Sequence, residues 1–104
     1  MAYSVKITEY AEAFIIENVT SERVLRRIED VAEMLGEYPS AGPQHNPDYA
    51  AARPPFPCRF LPLPDTPFTL YYLKDDDVRE VIIFDIEWTA GDPRRRFSFV
   101  ELPS

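Results

Sequence analysis

Nine of the eleven prolines of this chain fall between residues 39 and 67. Proline has no backbone N–H and a fixed φ, so neither a helix nor a central strand can run through that stretch. The regular structure must lie on either side of it. The crossing itself is expected to be ordered but irregular, with room for one short strand at Cys58-Arg-Phe-Leu61 before Pro62 and Pro64.

The segment before the crossing reads as a strand and two helices. Tyr3-Ser-Val-Lys-Ile-Thr8 alternates large apolar with polar residues, the period of a half-buried strand. Thr8 is a candidate N-cap for a short helix over Glu9 to Asn18, with Ala11, Phe14 and Ile15 on one side. Phe14-Ile15-Ile16 is equally good strand material. Ser21 is a better cap, and Glu22 suits the positive end of a helix dipole. Val24, Leu25, Ile28, Val31, Ala32 and Leu35 then recur at helical spacing up to Gly36, which predicts a stripe packed on one face of a sheet.

The segment after the crossing reads as a hairpin. Phe68-Thr-Leu-Tyr-Tyr-Leu-Lys74 and Glu80-Val-Ile-Ile-Phe-Asp-Ile-Glu-Trp88 are rich in aromatic and β-branched residues, and Asp75-Asp-Asp77 supplies turn chemistry between them. Ile82-Ile83-Phe84 breaks the alternation, which predicts burial on both faces and hence a central strand. Residues 96–102 alternate again and are a candidate edge strand. The expectation is one α+β domain over residues 1–104. Its N-terminal strand and two helices pack on an antiparallel sheet of three to four further strands.

Composition narrows the class. A chain of 104 residues that is 45% hydrophobic can bury one core without staples, which argues against disorder. Its lone cysteine, Cys58, excludes an intrachain disulfide. Met1 to Lys6 lacks an apolar signal core, and no run approaches ~18 apolar residues, so a cytoplasmic location without a membrane anchor is expected. The net charge is −7, from 18 acids and 11 bases, opposite to the usual balance of a nucleic-acid binder. Lys6 and Lys74 are the only lysines. The local exception is Arg94-Arg95-Arg96, opposed in residues 93–104 only by Glu101. Guanidiniums there suit phosphates or a partner's carboxylates, or they simply pair with neighbouring acids.

Other polar residues carry weaker signals. His45 has no second ligand at metal spacing and is expected on the surface. Cys58 reads as a small buried hydrophobe. Asp75 to Asp77 lack the spaced acids, glycine and closing glutamate of a calcium loop, so a solvated turn is expected. Asp85 and Glu87 share a strand face, where they could divide acid and base roles or, more commonly, simply make a polar sheet face. Tyr71 and Tyr72 point to opposite faces, one into the core and the other free for function. Phosphate loop, nucleophile elbow and zinc spacing are all missing, and neither metal nor cofactor is expected.

Read end to end, the chain resembles the RelE/ParE superfamily of bacterial toxin–antitoxin toxins, a group that includes plasmid stabilisation proteins. The resemblance rests on Tyr3-Ser-Val-Lys-Ile, on the helix exit Val31-Ala-Glu-Met-Leu-Gly-Glu-Tyr-Pro-Ser-Ala-Gly42, and on Phe56-Pro-Cys-Arg-Phe60. It continues through Phe68-Thr-Leu-Tyr-Tyr-Leu and Val81-Ile-Ile-Phe-Asp-Ile-Glu-Trp-Thr-Ala-Gly-Asp-Pro93. It implies a small toxin neutralised by an antitoxin encoded nearby. Ribonuclease members cleave mRNA on the ribosome, whereas ParE-like members poison DNA gyrase. By the same resemblance Arg59 stands where the family often has a strand arginine, and Arg94, Arg95, Arg96 and Phe97 stand near its C-terminal catalytic cluster. The family's lysines between helix and sheet are missing, Arg53 being the only base there before Arg59, and Trp88 occupies a position commonly basic or histidine. Those departures and the acidic charge favour protein-directed poisoning, or a non-toxic interaction module on the same fold.

Overall fold

Thr8 and Ser21 open the two helices. In the computed structural model, which describes residues 2–45 and 56–91, the Thr8 hydroxyl accepts the Ala11 N–H at 3.3 Å and starts α1, Glu9–Asn18. The Ser21 hydroxyl accepts the Val24 N–H at 3.4 Å and starts α2, Glu22–Glu37. Each cap satisfies one of the donors that a helix start leaves open. The four strands are β1 (Ser4–Ile7), β2 (Arg59–Pro62), β3 (Phe68–Asp75) and β4 (Glu80–Trp88).

The strands form one sheet in the order β1-β4-β3-β2. β4 is central, as the apolar run Ile82-Ile83-Phe84 predicts. β2, β3 and β4 are antiparallel, but β1 joins β4 in parallel, with Val5 beside Val81 and Ile7 beside Ile83. The sheet is therefore mixed. Alternation tells which face a residue takes but not which way its neighbour runs, so the parallel edge is a finding of the structure. The candidate edge strand at 96–102 lies outside the described residues.

One irregularity decides the faces of β4. Tyr71 pairs with Asp85 and Tyr72 with Ile83, so Phe84 is an extra residue that shifts the register. Such a bulge inverts the side-chain alternation beyond it. Val81, Ile83 and Ile86 consequently all join the helix-side core despite their uneven spacing, while Phe84 joins a second cluster on the other face. The α2 stripe meets this core as expected: Val24, Ile28, Val31 and Leu35 are buried with Leu70, Tyr72, Val81, Ile83 and Ile86. Leu25, counted in that stripe from the sequence, is 40% exposed. Ala11 is buried in the same core, with Phe14 and Ile15 packed against it, so the strand-like triplet at 14–16 folds as helix. Gly36 ends the stripe under β1. Its carbonyl accepts the Tyr3 N–H at 2.7 Å, and an added Cβ would come within 3.0 Å of the Tyr3 carbonyl oxygen.

The acidic turn is held by its own chain. The Asp75 carboxylate accepts the N–H groups of Asp77 and Val78 at 3.0 and 3.4 Å. Asp76 accepts the Tyr3 hydroxyl at 2.6 Å and the Lys74 ammonium at 3.1 Å, and these two hydrogen bonds hold its carboxyl below the usual carboxylate range. Among the described residues no group of three or more His, Cys, Asp or Glu side chains is placed to hold a metal ion. Millimolar calcium or magnesium should leave the melting temperature where it is, and a rise of several degrees would contradict this reading. No helix among the described residues is long and apolar enough to cross a membrane.

Candidate functional site

The sheet face turned away from the helices carries the described groups with chemical potential. Residues directly opposite each other on antiparallel strands share a face. The pairs Phe60–Tyr71, Tyr71–Asp85 and Thr69–Glu87 therefore place Asp85 and Glu87 on the free face, with Phe84 between the strands' second cluster of Cys58 and Tyr71. Asp85 is fully buried and Glu87 half-buried. Tyr10 of α1 stands close enough to both carboxylates to feel them. Burial first, then the charges of Asp85 and Glu87, raise its phenol above the ordinary tyrosine value.

His45 corrects its expectation. It is only 8% exposed, not a surface histidine. Its N–H donates to the Cys58 carbonyl at 2.9 Å, and its ring meets Phe60 and Tyr71 edge-on with centroids 6.2 and 6.0 Å away. The cause is non-local: residues 43–45 pair with the outer side of β2 through the Gln44–Arg59 bridge, which lays His45 over the aromatic face. Cys58 is buried as expected, and burial, with the charge of Asp85, pushes its thiol up to about 12. At pH 8 the thiol therefore stays protonated and is a poor nucleophile. The folded chain should resist iodoacetamide for hours and react fully in denaturant; rapid alkylation of the native chain would show that this face opens.

Tyr71 and Tyr72 point to opposite faces as predicted, yet both are buried, at 3% and 0% exposure. Tyr72 uses its hydroxyl structurally, accepting the Gly42 N–H at 2.9 Å. Gly42 is required there, since an added Cβ would collide with the Phe60 carbonyl oxygen and lie 3.0 Å from the Tyr72 hydroxyl. Arg59 lies opposite Tyr72, on the helix-bearing side of the sheet and away from the free face. Its guanidinium donates to the Gly42 carbonyl at 2.8 Å and to that of Ser40 at 3.5 Å. Arg59 thus ties the α2 exit to the edge strand and is not brought together with His45, Tyr71 or Asp85.

Trp88 ends β4 in an aromatic group, with ring centroids 4.5 Å from Phe68 and 6.3 Å from Phe14, and is 43% exposed. The chain continues from there toward Arg94, Arg95, Arg96 and Phe97, which lie outside the described residues. Arg59 is the one arginine in a strand among the described residues. Among the described residues this face gathers phenols, an imidazole and carboxylates, yet Tyr71, His45 and Asp85 are at most 8% exposed, so these groups form a second buried layer rather than a surface offered to a partner. Tyr10 went unremarked in the sequence and His45 was expected on the surface, because neither carries a local signal of its placement. The packing of α1 brings Tyr10 near the two carboxylates, and the pairing of residues 43–45 with β2 lays His45 over the aromatic face.

No family model matches the chain, and no curated protein matches it. Solved structures do. A chain of the toxin–antitoxin complex RelBE2 from Mycobacterium tuberculosis superposes with a TM-score of 0.62 at 19% identity, over 85% of this chain and 99% of that one. A mutant of the E. coli toxin RelE in the free state superposes with a TM-score of 0.63 at 18% identity, over 86% of each. The fold is that of the RelE toxins.

Proposed function

We propose that this chain is the toxin-like component of a bacterial type II toxin–antitoxin module, acting by binding a cellular target and held inactive by an antitoxin encoded beside it. The observation that carries the reading is the fold it shares, over 85% of its length, with a chain of a toxin–antitoxin complex. The proposed contact residues are Arg94, Arg95, Arg96 and Phe97, at the end of the chain that follows β4. With a net charge of −7, the chain would approach ribosomal RNA with mostly the wrong sign. Poisoning of a protein target such as DNA gyrase therefore fits better than cleavage of ribosome-bound mRNA. Three clustered guanidiniums on an acidic chain act at short range, pairing with carboxylates of target or antitoxin.

A second reading keeps the fold and drops the toxicity: an interaction module without catalytic activity. It is favoured by Arg59, whose guanidinium is taken up by the Ser40 and Gly42 carbonyls. Induced expression in a bacterium separates the two. On the toxin reading growth arrests, the arrest fades in the Arg94/Arg95/Arg96→Ala variant, and co-expression of the neighbouring gene relieves it. Gyrase supercoiling and mRNA cleavage assays then distinguish the targets. Unimpaired growth together with no co-purifying neighbour-encoded protein would overturn the toxin reading in favour of the interaction module.

A further inference from the structure

We propose that the hollow at the carboxyl end of α2 docks a basic, apolar-anchored segment of a protein partner. The hollow has a volume of about 620 Å³ and is lined by Met34, Glu37, Tyr38, Pro39, Ser40 and Ala41. The Met34 thioether, the Pro39 ring and the Ala41 methyl make it largely apolar, and the Tyr38 ring stands 68% exposed beside it.

Its wall is built before any partner arrives. Arg59 holds the Ser40 and Gly42 carbonyls, the Tyr72 hydroxyl takes the Gly42 N–H, and the Ala41 N–H donates to the Tyr38 carbonyl at 3.0 Å. A surface already fixed loses little further freedom on binding. This gives Arg59 a positioning role in the surface that it frames.

Charge selects the occupant. Glu29, Glu33 and Glu37 follow one another at i, i+4 and i+8 along an exposed strip of α2 that runs to the hollow. None of the three has an ion pair among the described residues. The last turn of α2 carries no basic residue, although the negative end of a helix dipole favours one. Like charges at i, i+4 oppose the helix they stand on. A lysine or arginine from a partner would relieve that repulsion, lay its aliphatic stem on Met34 and Pro39, and set its cation against the Tyr38 ring. The chain's net charge of −7 draws such a segment and repels both nucleic acid and a second copy of the chain. The docking surface stands whether or not the chain is toxic.

The test uses the full chain and three fluorescein-labelled synthetic peptides. One has a leucine anchor flanked by lysines, one has glutamates in place of the lysines, and one has alanine in place of the anchor. Saturable binding of the first is expected in anisotropy, with amide NMR shifts centred on Met34 to Ala41. Binding should weaken at least about tenfold for the anchorless peptide and for the Glu33→Lys/Glu37→Lys chain. That variant should melt no lower than wild type, because lysine suits the end of a helix, so a loss of binding is not a loss of fold. Tyr38→Ala should weaken binding in the same sense. Equal binding of the acidic peptide, unchanged binding by the lysine variant, or no saturation up to ~1 mM peptide would each overturn the proposal.

Discussion

Ile28→Asp is expected to cost several kcal/mol and to unfold the chain under conditions in which the wild type is folded. Ile28 is 2% exposed in the core between α2 and the sheet, among Val24, Val31, Leu70 and Val81. A carboxylate forced into that site would lose its hydration and find apolar neighbours, or would take up a proton at comparable cost. A small domain has only about 5–15 kcal/mol in all. Ile28→Val is the control, removing one methylene for about 0.5–1.5 kcal/mol. Thermal melts and urea titrations of the three chains give the comparison. An Ile28→Asp chain with an unchanged melting temperature would refute the packing of α2 on the sheet.

Phe84→Ala is expected to cost about 3–5 kcal/mol, even though Phe84 lies on the face without helices. Its side chain is fully buried, its ring centroid is 4.8 Å from that of Phe56, and it shares a cluster with Cys58 and Tyr71. Removing the ring would leave a cavity beneath the aromatic cover and open a path to the thiol. Two readouts follow: a lower urea midpoint, and Cys58 alkylation that becomes measurable in the native state. If stability and Cys58 protection both survive, the second cluster is a surface feature rather than a second core.

The two substitutions differ in how readily sequence finds them. Ile28 is visible because a helix repeats every 3.6 residues, so an apolar stripe at that period has one sensible use. Phe84 is only half visible. The run Ile82-Ile83-Phe84 announces a central strand, but the extra residue opposite Tyr71 and Tyr72 decides that Ile83 faces the helices and Phe84 the other side. A bulge is a property of two strands together, and one strand's pattern cannot place it.

The candidate site follows the same division. Cys58 as a buried hydrophobe and the tyrosine pair on opposite faces were legible, because composition and alternation act locally. The resemblance marked Arg59 as a strand arginine. Its carbonyl partners at Ser40 and Gly42 come from a segment separated from it by much of the proline-rich crossing. His45 shows the limit most clearly. In sequence it is one polar residue in a polar loop, and in the structure it lies under 9% exposed against Phe60 and Tyr71.

What this sequence determined by itself is the set of elements that short-range physics controls: two capped helices, a stripe for the core, and a hairpin closed by three aspartates. Tertiary structure alone decided the parallel pairing of β1 with β4, the facing of Phe84, the burial of His45 and the use of Arg59 as a clasp. Each of these depends on contacts between residues distant in the chain. Their loop-closure entropy is repaid only when the whole sheet assembles, so no local pattern of residues has to encode them.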